Sequence, residues 1–178
     1  MKKTQLRKLA AASILAALAV VCSPLSIPVG ASRCFPVQHF VNIVAGVFLG
    51  PFYGMGAAFV TSLVRNLMGT GSLMAFPGSM CGAFLCGFLY KKFRKLPLAY
   101  LGELIGTALI GGMLCFPVAT LIMAKEAALF TYVIPFFVSS AGGTLIAAII
   151  VPALKKAKID RIFTEDKKEV MADAGENA

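Results

Sequence analysis

The stretch that decides the fold runs from residue 104 to residue 124 and reads LIGTALIGGMLCFPVATLIMA. It holds no charged side chain and has the ~20 residues that an α-helix needs to cross the hydrocarbon core of a bilayer. A second uncharged stretch, AALFTYVIPFFVSSAGGTLIAAIIVPAL, covers residues 127–154. Two such stretches in one chain predict a membrane protein built from helices.

The composition of the whole chain supports the same class. Of the 178 residues, 58% are hydrophobic and only 14% are charged, and the mean hydropathy is +0.84. A soluble domain carries about 25% charged residues. The chain therefore has no soluble domain large enough to do chemistry by itself.

Most of the positive charge, 14 of the 17 Lys and Arg residues, lies in three short clusters separated by apolar stretches. The net charge of +9 could suggest nucleic acid, but no basic face interleaved with aromatic residues is present to follow phosphates. Basic clusters between apolar spans are instead typical of cytoplasmic loops of a membrane protein. The clusters consist of Lys2, Lys3, Arg7 and Lys8; Lys91, Lys92, Arg94 and Lys95; and Lys155, Lys156, Lys158, Arg161, Lys167 and Lys168.

The number of spans depends on whether residues 39–68 form one kinked helix or two short ones meeting at Gly50 and Pro51. With two helices, all three basic clusters fall on the cytoplasmic side, and only Arg33, Arg65 and Lys125 of the 17 Lys and Arg residues do not. This distribution favours six spans with both termini in the cytoplasm of a cell (inner) membrane. The predicted helices are 9–25, 39–50, 52–68, 76–90, 97–122 and 128–154.

The fold class predicted is therefore an all-α integral membrane bundle of six transmembrane helices over residues 1–154, followed by a charged cytoplasmic tail over residues 155–178. The first span resembles a signal peptide, but Val21 before Cys22 does not suit lipoprotein cleavage, so we expect an uncleaved span. The second helix is too short for the bilayer. We expect the proline-containing connection from residue 23 to residue 38 to fold over an outward-facing cavity above it.

Polar side chains gather near the predicted outer ends of several helices. Such side chains are costly in a membrane, so each is a candidate for a binding site. A cavity with hydrogen-bonding groups and aromatic walls suits a small polar heteroaromatic ligand. The candidate substrate-binding residues are Phe35, Gln38, His39, Asn42, Arg65, Asn66, Phe76, Ser79 and Ser139, with Tyr132 and Ser140 nearby.

Several of these residues also have a purely structural interpretation. His39 could cap its short helix, Arg65 could extend to the outer headgroups, and Asn66 could bond to loop backbone. Glu103, near the inner end of the fifth helix, is expected to pair with Lys95 or a neighbouring base. These alternatives remain open from the sequence alone.

No catalytic or metal-binding set is evident. The chain has a single histidine and five cysteines without zinc spacing, and the cysteines are interpreted as packing residues. A phosphate-binding loop of the GxxxxGK[ST] type is missing, so the chain cannot hydrolyse ATP. We expect no enzyme activity, no metal and no cofactor.

Small residues recur at helical spacing, which lets helix backbones approach closely in lipid. Examples are Gly78 with Gly82 and Gly102 with Gly106. Ala12 and Ala16 occupy the first helix, next to a basic cytoplasmic segment. We therefore expect this pair to form a surface for a partner protein.

Six short motifs resemble the ThiW family, and the resemblance extends from about residue 9 to about residue 154. The motifs are CFPVQH (34–39), LGPFY (49–53), SLVRNLMGTGS (62–72), AFPGSM (75–80), GELIGT (102–107) and VIPF (133–136). The family comprises substrate-binding S components of energy-coupling factor (ECF) vitamin transporters. The acidic tail from Asp160 onward lies outside the resemblance.

The resemblance implies a six-helix S component that captures its substrate from outside and associates with a transmembrane coupling protein and two ATPase subunits. The substrate implied is hydroxyethylthiazole, the thiazole precursor of thiamine. Ala12 and Ala16 are similar to the alanine motif by which S components dock on the coupling protein. Three alternatives stay open: an S component for another vitamin, a small membrane enzyme acting on lipid substrates, and a subunit that only assists assembly.

Overall fold

The computed structural model describes residues 3–29 and 32–163 and consists, over that part of the chain, of six helices and one short β-hairpin. The prediction of an all-α chain with six helices is thereby confirmed. The helices are α1 (Lys3–Val21), α2 (Pro36–Phe48), α3 (Pro51–Leu67), α4 (Ala75–Phe93), α5 (Leu96–Ile122) and α6 (Val133–Lys156), followed by a 3-10 turn, Ile159–Phe163.

The predicted boundaries differ from the observed ones mainly at two helix starts. α1 begins at Lys3 rather than residue 9, since its basic first turns are helical as well. α6 begins at Val133 rather than residue 128, because a turn in which Ala128 donates its backbone N–H to the Thr131 hydroxyl (2.9 Å) precedes it. Most of the predicted tail, residues 164–178, lies outside the described residues.

Proline sets the starts of three helices. Pro36, Pro51 and Pro97 occupy the first turns of α2, α3 and α5, where the missing N–H has no intrahelical partner to lose. Gly50, directly before Pro51, has φ +100°, a conformation that favours glycine. Residues 36–67 are therefore two separate helices, as predicted, and not one kinked helix.

α5 is the irregular helix of the bundle. Its α-helical segment Leu96–Leu104 passes into wider π-type turns over Ile105–Gly111 and again over Val118–Ile122. Pro117 interrupts the backbone hydrogen bonds between the two. Wide turns of this kind often occur at functional sites.

A two-stranded hairpin replaces the loop expected between α1 and α2. β1 (Ile27–Val29) pairs antiparallel with β2 (Ser32–Cys34), and Ile27 lies opposite Cys34. The hairpin was not predicted, because three-residue strands leave too short a pattern in the sequence. β2 packs against α6, which holds the end of the hairpin beside the start of α2.

α2 is the short central helix of the bundle, packed against α3, α4 and α6. Its 13 residues span only ~20 Å at 1.5 Å per residue, against ~30 Å of hydrocarbon. Almost every side chain from Gln38 to Phe48 is buried. The length missing from α2 leaves space at its N-terminal end, and the candidate site lies there.

α4 and α5 make backbone contact through glycines, as the spacing of small residues predicts. A Cβ added at Gly106 would lie 2.6 Å from the carbonyl oxygen of Cys81, and one added at Gly111 would lie 2.5 Å from the Cα of Gly78. No side chain fits between the two helices at these points. This contact, called the glycine seam below, brings the side chains of α5 close to α2.

Several of the largest buried side chains are polar, and many apolar side chains are exposed. The largest fully buried side chains include Arg65, Glu103 and Asn42, while Leu121 and Ile149 are about 80% exposed (82% and 77%). An apolar exterior around buried polar groups suits a lipid environment. Among the described residues, α1, α5 and α6 are long and apolar enough to cross a membrane, so the count of six spans stays a prediction.

Candidate functional site

A cavity lies at the N-terminal end of α2, between the hairpin and helices α3, α4 and α6. The cavity volume is about 40 Å³, and the wider space between the lining atoms, which includes the open surroundings, is about 420 Å³. Its polar lining comes from five elements, β2, α2, α3, α4 and α6, and from the loop between α3 and α4, as expected for a binding site rather than a packing defect. The lining residues are Arg33, Phe35, Gln38, His39, Arg65, Ser72, Ala75, Gly78, Ser79, Phe136 and Ser139.

Arg65 forms one wall of the cavity from the last turn of α3. Its guanidinium carbon lies 3.6 Å from the centroid of the Phe35 ring, and its Nη1 donates a hydrogen bond to the Gln38 side-chain oxygen. Arg65 is only 1% exposed, so it does not extend to headgroups. Among the described residues, no carboxylate lies within 4 Å of its side chain, and its buried Nε lacks a hydrogen-bond partner.

Glu103 lies beneath the cavity without lining it, in contact with His39, which does line it. Its Oε1 lies 2.9 Å from His39 Nδ1, 3.1 Å from Asn42 Nδ2 and 3.2 Å from the Thr107 hydroxyl. Glu103 is fully buried. The expected pairing of Glu103 with Lys95 or a neighbouring base is therefore wrong, because its partner is His39 of α2. Glu103 lies one helical turn before Thr107, and both side chains point across the glycine seam toward Gly82, which leaves the space that the carboxylate occupies.

Two serines and Asn42 connect Glu103 to α4, which lines one side of the cavity. Asn42 Nδ2 also donates to the backbone carbonyl of Ser79 (3.2 Å). The Ser79 hydroxyl donates to the carbonyl of Ala75 (2.7 Å) and lies 3.1 Å from the Ser62 hydroxyl. Asn42 thus lies beneath the cavity without lining it, and Ser79 reaches the cavity with its hydroxyl already engaged.

The hairpin is attached to α6 through Ser139. The Ser139 hydroxyl accepts a hydrogen bond of 2.7 Å from the backbone N–H of Phe35, and the Cys34 thiol donates to the carbonyl of Pro135 (3.3 Å). Burial raises the pKa of the Cys34 thiol, so it remains a protonated donor at neutral pH. These contacts fix the Phe35 ring over Arg65.

Besides Asn42, two further predicted site residues do not reach the cavity. Asn66 donates to the backbone carbonyls of Ser62 (2.8 Å) and Ser72 (3.0 Å), so it holds the loop between α3 and α4. The Phe76 ring packs against Phe59 at a centroid distance of 5.6 Å and is not part of the lining. The aromatic residues of the lining are instead Phe35 and Phe136.

Ala12 and Ala16 lie on the buried face of α1, at 6% and 4% exposure, inside the core. The expectation that they form an open docking surface does not hold in this structure, because the pair packs inside the bundle. The small residues exposed on α1 are Ala10, Ser13 and Ala17.

The arrangement suits binding rather than catalysis. Gln38 Nε2 and Arg65 Nε are buried donors without partners in side chains that line the cavity, and buried polar groups are costly unless they gain a hydrogen bond. Across the described residues, no group of His, Cys, Asp or Glu is placed to hold a metal ion. A small molecule with acceptors would satisfy the two donors.

The sequence had suggested Phe35, Gln38, His39, Arg65, Ser79 and Ser139, which all line the cavity. It missed the placement of Glu103, although this acid falls within the first three turns of a helix with few charges and has Thr107 four residues later. That spacing places both side chains on one face of the helix. It is the sequence signal from which the inward position of Glu103 could have been predicted.

Comparison with known proteins identifies a family. The family described as thiamine-precursor transporter protein (ThiW) matches residues 9–157, which is most of the chain. No curated protein and no solved structure matches.

Proposed function

Since this chain belongs to the ThiW family of thiamine-precursor transporter proteins, we propose that it captures hydroxyethylthiazole in the cavity at the N-terminal end of α2. The observation that carries the proposal is the stack of Arg65 on Phe35 beside unpaired donors. A thiazole ring is flat and heteroaromatic, so it can lie against an aromatic side chain while its ring nitrogen accepts a hydrogen bond. The chain is a transporter component and not an enzyme.

The buried charges favour a neutral ligand. Arg65 and Glu103 carry opposite formal charges, and both are buried within the bundle. These two buried formal charges therefore cancel before a ligand binds. A ligand with a net charge would add an uncompensated charge to a poorly solvated site, which is costly. Hydroxyethylthiazole carries none.

The orientation proposed for the protein has six spans, both termini in the cytoplasm and the cavity open to the outside. The support comes from the basic clusters: Lys91 and Lys92 lie in the last turn of α4, and Lys155 and Lys156 lie in the last turn of α6. Cytoplasmic loops carry this excess of Lys and Arg. The N-terminal end of α2 then faces away from the cytoplasm.

Uptake would be driven by partner subunits. The sequence has no phosphate-binding loop for ATP, so the chain would act as the S component of an ECF transporter, with a transmembrane coupling protein and two ATPases. α1 offers these partners a long exposed apolar face that includes Ile14 and Val21 (69% and 75% exposed).

The binding proposal is tested by calorimetry on the purified protein in detergent. We expect hydroxyethylthiazole to bind and the aminopyrimidine precursor of thiamine to give no heat, because the precursors differ in ring and in donor pattern. Mass spectrometry of small molecules that co-purify provides an independent reading. Binding of the pyrimidine alone would contradict the assigned substrate while leaving the family unchanged.

The coupling proposal is tested by uptake of labelled hydroxyethylthiazole into cells. We expect uptake only when the chain is expressed with the coupling protein and both ATPases, and none when the ATPases carry inactive phosphate-binding loops. Sustained uptake by the chain alone would contradict ECF coupling.

A further inference from the structure

Three hydrogen-bond donors converge on one oxygen of Glu103. His39 Nδ1, Asn42 Nδ2 and the Thr107 hydroxyl all lie within 3.2 Å of Oε1. The other oxygen, Oε2, is buried without a partner. A proton on the carboxyl group would therefore have to be on Oε2, and Oε1 is an acceptor whether Glu103 is ionised or not.

The orientation of the Asn42 amide supports this assignment. An asparagine amide can be placed in two ways that differ only in which atom is nitrogen. Here the same atom that approaches Glu103 Oε1 also lies 3.2 Å from the backbone carbonyl oxygen of Ser79. Since a carbonyl only accepts, this atom must be the NH₂ group, and Glu103 Oε1 must accept from it.

We infer that Glu103 is a positioning residue that fixes the tautomer of His39. With Oε1 as acceptor, His39 Nδ1 must carry the proton, and in the neutral imidazole Nε2 is then an acceptor. Among the described residues, the hydrogen bond of the His39 ring is made through Nδ1, which leaves Nε2 for a ligand, and His39 lines the cavity. The protein thus presents an acceptor at His39 and donors at Arg65 and Gln38.

This pattern specifies the orientation of the ligand, an inference that depends on the proposed function. Hydroxyethylthiazole has one donor, its hydroxyl group, and one ring nitrogen that accepts. The hydroxyl group should donate to His39 Nε2, and the ring should lie toward Phe35 with its nitrogen facing Arg65 Nε or Gln38 Nε2. A ligand without a donor at that end leaves a buried acceptor unpaired.

The tautomer can be measured without a ligand because His39 is the only histidine of the chain. In protein labelled with ¹⁵N-histidine, NMR should show Nδ1 protonated and Nε2 unprotonated at pH 7.5. Hydroxyethylthiazole should shift the Nε2 resonance, and its O-methyl ether should not. A protonated Nε2 in the free protein would overturn the inference, whatever the protein binds.

Binding of the same pair of ligands tests the specificity. Wild type should prefer the alcohol over the ether by about 5- to 150-fold, the range expected when a buried polar group loses its partner. His39→Phe should abolish the preference. Glu103→Leu, which frees the tautomer, should weaken it, whereas Glu103→Gln should preserve it, because the amide oxygen can accept from Nδ1.

The outcomes separate the two proposals. If wild type binds neither thiazole, the proposed substrate is wrong and the NMR result still decides the tautomer. If wild type binds both thiazoles equally, or His39→Phe keeps the preference, the role assigned to His39 and Glu103 is wrong while the proposed function stands.

Discussion

The Arg65 guanidinium carbon lies 3.6 Å from the centroid of the Phe35 ring, so a buried cation is stacked on an aromatic face within the cavity. The two residues belong to different elements, the end of α3 and the segment after the hairpin. A planar guanidinium can stack and hydrogen-bond to Gln38 at the same time. The side-chain geometry of the wall therefore depends on arginine and not only on its charge.

Arg65→Lys should weaken binding of hydroxyethylthiazole about 5- to 30-fold. Lysine keeps the charge but loses the planar stack and the fork of donors, and a desolvated cation–π contact is worth up to ~2 kcal/mol. Calorimetry measures the affinity. The matched control is Arg33→Lys, since Arg33 lines the same cavity but is exposed, and we expect less than a twofold change. Equal affinities for wild type and Arg65→Lys would contradict a role of Arg65 in the site.

Gly82→Ala should destabilise the protein and reduce binding. A Cβ at Gly82 would collide with the Thr107 hydroxyl and lie 2.8 Å from Glu103 Oε2, and such overpacking costs about 1–3 kcal/mol. Thermal unfolding in detergent measures the loss. The control is Gly56→Ala, where nothing lies within 4 Å and the higher helix propensity of alanine should add up to ~1 kcal/mol. A melting temperature unaffected by Gly82→Ala would mean that the space for Glu103 is not tight.

Leucine at both Ala12 and Ala16 should lower the unfolding temperature, because both side chains are buried in the core. Leucine at Ala10 and Ala17, on the exposed face of the same helix, should leave stability and ligand binding unchanged. If the coupling protein docks on that exposed face, the variant with leucine at Ala10 and Ala17 should lose uptake while its stability and ligand binding stay normal. Normal stability of the Ala12 and Ala16 variant would restore the original expectation of an open docking pair.

Asn66→Ala should act on stability more than on affinity. Its amide holds two backbone carbonyls, at Ser62 and Ser72, and losing both hydrogen bonds should cost about 1–3 kcal/mol. Thermal unfolding and calorimetry on one preparation separate the two effects. A large drop in affinity without a change in unfolding temperature would show that Asn66 contacts the ligand.

The topology makes a prediction about accessibility. On a cysteine-free background, Phe93→Cys should react with an impermeant maleimide only after permeabilisation, and Lys125→Cys should react in intact cells. The reason is the predicted cytoplasmic position of residues 91–95 and the outside position of the segment between α5 and α6. Labelling of position 93 in intact cells would contradict six spans.

The sequence predicted the helices well because apolar length, Pro51 and Pro97 are local signals. It predicted poorly what depends on packing. α1 has apolar residues on all sides, so its periodicity could not tell that Ala12 and Ala16 face inward. The prediction for Glu103 was wrong for a similar reason. Whether a side chain near a helix end faces a basic loop or the interior depends on the neighbouring helix. Here Gly82 of α4 leaves space for the Glu103 carboxylate in the interior.

The glycine seam has a consequence for how the cavity could open. At Gly106 and Gly111 no side chain separates α4 from α5, because backbone meets backbone there. Helices in such contact can tilt together but cannot roll past one another. During substrate loading and release, α4 and α5 should therefore move as one rigid unit. The elements that can move relative to this unit are the hairpin and α6, which face it.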